Sequence, residues 1–291
     1  MVFRFPRRGG GSGGASGLGG SRLLSRGRLL VALAVAGFAL FSYFTQRQQN
    51  PITGETQFIS MTEDQEIALG LQAAPEMIAK HGGLFPDPQV QAMVDRIGKR
   101  LVDHSKARET PYRFEFHVLA DDRTINAFAL PGGQVFITTA LLRRLKTEGQ
   151  VAGVLGHEVG HVVGRHGAER LSKAKLTKGL TGAAVIATYD PTNPASRKSA
   201  AVAAMIGQVV NMHYGRGHEL ESDKLGVRFL ARAGYDPRAM VGVMEVLAEA
   251  AGEKRSPEFF STHPNPERRV DRIKEAIEQT FPNGLPPGLV P

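Results

Sequence analysis

The sequence specifies a mainly α protein with one small antiparallel β-sheet. Helix-start signals recur along it: Thr62-x-x-Gln65 and Thr147-x-x-Gln150 have capping-box spacing, and Asp87-Pro88, Asp236-Pro237 and Asn265-Pro266 each set a capping residue before a first-turn proline. After Asp87, the residues Val90, Met93, Val94, Ile97 and Leu101 form one apolar helical stripe. Only between Arg113 and Thr139 does the period drop to two. There Phe114, Phe116 and Val118 alternate with polar residues, followed by Ile125 to Leu130, the turn Pro131-Gly132-Gly133, and Val135 to Ile137.

With 291 residues, 42% of them hydrophobic, the chain can bury one large core or two modest ones, which excludes a disordered protein. The net charge of +8 belongs to the N-terminus. Residues 1–50 hold seven arginines and no Lys, Asp or Glu, so removing them leaves +1 for residues 51–291 and no basic face for nucleic acid. Residues 1–28 form a basic Gly/Arg-rich segment expected to be disordered. Residues 29–45 follow as an apolar run preceded by Arg22, Arg26 and Arg28, which reads as an uncleaved membrane anchor or, alternatively, a signal peptide. The arginine bias puts the N-terminus in the cytoplasm and the rest outside it. Residues 46–60 read as a linker, 57–280 as the folded domain and 281–291 as a flexible tail. Two Ala/Gly-rich stretches, Leu180–Ala187 and Ala200–Val210, suggest a helical hairpin packed over the domain rather than dipping into a membrane.

His157-Glu158-Val159-Gly160-His161 carries the chemistry. At about 100° per residue the two histidines lie about 40° apart on one helical face, and Glu158 falls about 60° from His161, beside a shared metal rather than on it. The flanks Val151, Ala152, Val154, Leu155, Val159, Val162 and Val163 bury this helix, where unpaired charge is costly. With no Cys in the chain, disulfides and thiolate ligands are excluded, and a further ligand must be His or carboxylate. The helix is expected to run on towards Arg170. That places His166 about 140° from His161, as an outer hydrogen-bonder. The remaining candidates lie in Arg216 to Gly226: Glu219 and Asp223 share a helical face, whereas Glu221 points elsewhere, with Lys224 and Arg228, on what reads as a solvated stripe.

The sequence resembles metallopeptidase family 48, the membrane-associated zinc proteases that include the CaaX prenyl protease and HtpX. The resemblance runs from about Asn50 to Ile277. It rests on Asn126-Ala-Phe-Ala-Leu-Pro-Gly-Gly133, His157-Glu-Val-Gly-His161, Glu219-x-x-x-Asp223 with Gly226, Ala233-Gly-Tyr-Asp-Pro237 and Ser261-Thr-His-Pro264. It departs at Ser222, usually Ala, and at Gly215, often Ser. It implies a gluzincin-like zinc metallopeptidase domain with His157, His161 and Glu219 as ligands, Glu158 as general base, Asp223 behind the ligands, and Arg216 and His263 near the metal. The single apolar run and Asn50-Pro-Ile-Thr-Gly-Glu55 are most similar to the single-anchor, periplasmic or mitochondrial quality-control branch.

One zinc ion per chain and a polypeptide substrate are therefore expected. The strand containing Asn126, Ala127 and Phe128 would pair with the substrate's backbone. The inner membrane with a periplasmic domain is the expected location; secretion after signal cleavage and the mitochondrial inner membrane are the alternatives. A zinc-stabilised chaperone or assembly factor is the rival function, and an intact Glu158 argues against it. Nothing in the sequence specifies an oligomeric state.

Overall fold

The computed structural model describes residues 18–188, 215–252, 257–264 and 268–291. The first helix, α1 (Leu18–Phe44), extends further back than the apolar run, taking in Leu18–Arg28 where disorder was expected. Extending a helix costs less than starting one. Residues 1–17, the second apolar arm Ala200–Val210 and the Asn265-Pro266 start signal lie outside the described residues.

Residues 46–60, expected to be a linker, form a hairpin of β1 (Arg47–Gln49) and β2 (Thr56–Phe58). Asn50 holds it in place. Its carboxamide oxygen accepts from the Ile52 and Thr53 amides to shape the turn, and its Nδ2 donates to the Val163 carbonyl at 2.9 Å. Helices α2 (Glu63–Lys80) and α3 (Pro88–Asp103) start where their caps predict, with a complete capping box at Thr62 and Asp87 accepting from two amides.

The sheet contains β3 (Glu115–Leu119), β4 (Ala127–Ala129) and β5 (Gln134–Thr138) in the order β3-β5-β4. Here the expectation of an antiparallel sheet is corrected. β4 and β5 are an antiparallel hairpin about Pro131-Gly132-Gly133, but β3 passes over its sequence neighbour and pairs in parallel with β5. β5, central and buried at every position, is the strand that needs partners on both edges. β4 is left at the edge.

A short α4 (Thr139–Leu142) leads to α5 (Glu148–Val163), which starts at the Thr147 cap and is buried at every position from Gly149 to Val163 except Gln150. α3, β4, α7 (Arg216–Arg232) and α8 (Ala239–Gly252) pack around it. α5 and α7 meet through small residues. A Cβ on Gly160 would come within 3.0 Å of the Ser222 carbonyl oxygen, and one on Gly226 within 3.4 Å of the His157 nitrogen. The two helices thus approach closely at Gly160 and Gly226.

α6 (His166–Thr188) leaves α5 at a sharp break and runs along α1. α9 (Phe259–Thr262) and α10 (Arg269–Thr280) close the far side. The stretch expected to be a flexible tail is tied down: Val290 N–H donates to the Gly234 carbonyl, Asp236 N–H to Val290, and Gly149 N–H to Pro291.

Candidate metal centre

The centre is assembled from three segments. α5 brings His157, Glu158 and His161, α7 brings Glu219 and Asp223, and the residue that ends α9 is His263. Donor atoms of His157, His161, Glu219 and His263 all lie within 4.8 Å of one another, and all four residues are buried. His157 Nε2 is 3.0 Å from His161 Nε2, 3.3 Å from His263 Nδ1 and 3.4 Å from Glu219 Oε2, and His161 Nε2 is 3.4 Å from Glu219 Oε1. A tetrahedral zinc with bonds of about 2.0–2.1 Å has donor-to-donor edges of about 3.3 Å, so the spacing fits that ion. A second sign of fit is Glu158, 1% exposed: among the described residues neither of its carboxylate oxygens accepts a hydrogen bond, and His263 Nε2 stands 3.5 Å from Oε1.

Each histidine has a distinct outer partner. His157 Nδ1–H donates to Asp223 Oδ1 at 2.9 Å, which leaves Nε2 facing the centre. Asp223 is in turn gripped by Arg269 of α10, through Nε to Oδ2 and Nη2 to Oδ1, both at 2.8 Å. For His161 the partner is His166, with the two Nδ1 atoms 2.9 Å apart, and His166 Nε2 is 3.1 Å from Glu221 Oε2. If His166 donates from Nε2–H to that carboxylate, its Nδ1 can accept from His161 Nδ1–H. The His161 Nε2 lone pair then also faces the centre. His218 stacks flat on His166, ring centroids 4.3 Å apart, and pairs with Glu169 at 2.9 Å.

Burial and charge set the protonation states. Burial alone would lower the His157 pKa, but the bonds to Asp223 and Glu219 outweigh it and raise it to about 9. Burial drives His161 well below its ordinary value, leaving it neutral. Burial would raise Glu219, yet His157, His161 and His263 hold it far below the carboxylate range. Desolvation pushes Glu158 up, only partly offset by His263 and His157, so this carboxylate is a stronger base than an exposed one.

Of the residues singled out in the sequence, His157, Glu158, His161, Glu219, Asp223 and His263 converge here. Arg216 does not. It is exposed in the first turn of α7, and the buried arginine at the centre is Arg269. Sequence spacing gives no sign of Arg269, because its side chain arrives from α10 by tertiary packing. Glu221 is a second correction: rather than standing in solvent it is part-buried against His166. The expected continuous helix also breaks. Gly164 ends α5, Arg165 adopts φ 55° with its guanidinium bound to Glu66, and α6 restarts at His166. That break turns His166 back towards His161, in the outer role expected of it. Asn126, Ala127 and Phe128 lie on or beside β4, and the next residues Ala129 to Pro131 line a small cavity with His161.

Comparison with known proteins agrees with this geometry. The family model "Peptidase family M48" matches residues 88–277. The beta-barrel assembly-enhancing protease of Yersinia pestis is 31% identical over 239 residues, covering 80% of this chain and 48% of that protein. Its Escherichia coli K12 counterpart is 33% identical over 210 residues, covering 68% and 41%. The mitochondrial metalloendopeptidase OMA1 of Schizosaccharomyces pombe is 29% identical over 248 residues, covering 84% and 70%. The chain thus spans about half or less of the length of the bacterial relatives. With a match running from α3 through the His157 helix and Glu219 to α10, the chain belongs to peptidase family M48, the metallopeptidases.

Proposed function

We propose that this chain is a membrane-anchored zinc endopeptidase acting outside the cytoplasm on misfolded or unassembled membrane and envelope proteins. The observation that carries the reading is the set of buried donors at tetrahedral spacing with the buried Glu158 carboxylate beside it, accepting no hydrogen bond from the described residues. His157, His161 and Glu219 would hold the ion, and zinc bound there would lower the pKa of a water and polarise the scissile carbonyl. Glu158 would take the proton from the attacking water and deliver it to the leaving amine. Its desolvated, raised pKa suits both transfers. Asp223 and Arg269 keep the His157 ring fixed, while His166 and Glu221 do the same for His161. His263 fills the fourth corner, 3.2 Å from Glu219 Oε1, and its withdrawal would open that corner to water and substrate.

Edge strand β4 would receive an extended substrate by backbone pairing. Such pairing reads shape more than side chains and suits substrates recognised because they are unfolded. α1 includes a span, Arg26–Phe44, long and apolar enough to cross a membrane. The excess of arginine before it supports a domain on the periplasmic side, or in the equivalent position at a mitochondrial inner membrane. Relatives named as a beta-barrel assembly-enhancing protease and a mitochondrial metalloendopeptidase support that setting.

The test is Glu158→Gln in purified protein, with metal content and casein digestion read together. Metal should stay bound while hydrolysis falls about 10²–10⁴-fold. Comparable activity in the variant would remove Glu158 from the mechanism, and metal binding without chelator-sensitive digestion in the unmodified protein would favour the assembly-factor alternative.

A further inference from the structure

We propose that the C-terminal half of α6 lies in the bilayer beside α1, so that the helix continuing from the metal centre is itself a membrane element. The proposal rests on the reading of α1 as an anchor and extends it to a second segment, replacing the sequence expectation that Leu180–Ala187 packs over the domain, since α6 runs along α1 instead.

The two helices are antiparallel neighbours. The start of α6 is fixed next to the end of α1, where Ser60 N–H donates to Ser172 Oγ and Lys175 Nζ to Ser60 Oγ, both at 2.9 Å. Further along, a Cβ on Gly179 would stand 2.8 Å from the Ala39 Cβ, well inside the apolar span of α1. Ala32, seven residues earlier on α1, and Ala183, four residues later on α6, are 4% and 5% exposed on helices whose other faces are open. Close contact through Gly and Ala is how helices associate in lipid, where apolar burial supplies no drive between them.

Charge on α6 follows the same boundary. Lys173, Lys175 and Lys178 precede Gly179, and no charged residue occurs from Gly179 to Thr188. Lysines at that point can extend to the headgroups while the uncharged turns lie below them. On α1 the face away from α6 exposes Leu30, Leu33, Phe38 and Phe41 at 60–72%, and the exposed side of α6 at Ala184 continues that surface. A bilayer covers both faces, because the lipid around α1 at the level of Ala39 meets Gly179 and the turns beyond it. The consequence for function is one of reach. His166 to Lys178 is twelve residues, about 18 Å of helix at most above the lipid. The centre would therefore be held against the membrane surface and act on chain emerging close to it.

The natural absence of Cys and Trp makes the test direct. Single-cysteine variants Lys173→Cys, Ala184→Cys and Gly37→Cys of the full chain are reconstituted in phosphatidylethanolamine/phosphatidylglycerol vesicles and treated with a charged maleimide on both faces of the membrane. Residues 173 and 184 lie on one side of α6, eleven residues apart. Ala184→Cys should react at least about tenfold more slowly than Lys173→Cys, since thiolate is disfavoured in hydrocarbon, with the difference abolished in SDS. Shielding at Gly37→Cys with full reactivity at Ala184→Cys would overturn the proposal and leave the anchor standing. Full reactivity at Gly37→Cys would sink the anchor reading and this proposal with it. Unchanged metal content shows that each variant is folded. Should Ala184→Cys fail that check, Ala184→Trp gives the same answer by brominated-lipid quenching: strong quenching is expected, and none would overturn the proposal.

Discussion

His161 and His157 look equivalent in the sequence and are not. Asp223, clamped by Arg269, orients His157 with a full negative charge; His161 depends on a neutral imidazole, His166, that is itself held by Glu221. Glu219→Gln, which removes a donor, should abolish both metal binding and hydrolysis. Glu221→Gln should weaken metal binding about tenfold through loosened orientation of His161, and Asp223→Asn about 10–100-fold. Equilibrium metal competition on the three variants checks that order, and full metal affinity in Glu221→Gln would remove the His166 link from the centre. His263→Ala should also bind metal more weakly, having lost one of four corners, yet hydrolyse more casein per bound ion because the fourth position is open. Lower turnover per ion would show that His263 works in the reaction rather than capping the centre. The helical spacing of His157, Glu158 and His161 and the shared face of Glu219 and Asp223 were legible because they are properties of one helix at a time. Arg269 and the true setting of Glu221 were not, since each depends on which helix packs alongside.

Local rules read the element starts well, and tertiary competition decided the rest. The caps at Thr62, Asp87 and Thr147 act within one turn of chain, so sequence alone places them. The break at Gly164-Arg165 could not be read that way: neither residue forbids a helix, and the left-handed Arg165 is fixed by Glu66 on α2. Strand order failed for the same reason, because β3 prefers the buried β5 to the β4 next to it in sequence. The outcome matters for substrate binding. Phe128 pairs with Phe136, and the Leu130 amide and Asn126 carbonyl also face β5, so alternation turns the backbone groups of Ala127 and Ala129 to the free edge. Ala129→Pro removes one outward donor without touching the ladder, a position an edge strand tolerates. It should lower kcat/KM for extended peptides about tenfold, the scale of one or two backbone hydrogen bonds, with metal content unchanged. Unaltered peptide kinetics in a metal-loaded variant would exclude β4 as the substrate edge.

In the whole molecule the centre is where α5, α7 and the residue after α9 meet around one point. Without metal, the proton on His157 helps hold them together. Its folded pKa of about 9 lies above the ordinary value because Asp223 and Glu219 overcome burial. A raised folded pKa stabilises the fold fully below the unfolded value, about 6.5, and that contribution is lost as pH rises through the folded value. The metal-free protein should therefore melt at progressively lower temperature between about pH 6.5 and 9. An ion at Nε2 takes over the same attraction and displaces the proton, so the loaded protein should be flat across this window and should release close to one proton per ion near pH 7.5. Thermal melts with and without chelator, together with metal titration calorimetry in two buffers of different ionisation enthalpy, measure both effects. Asp223→Asn, which removes the largest stabilising partner of the charged ring, should flatten the metal-free curve and reduce proton release. A metal-free melting temperature that did not fall between pH 6.5 and 9 would show that His157 is neutral in the empty centre, with Glu219 neutralised by Arg269, 3.3 Å away, instead.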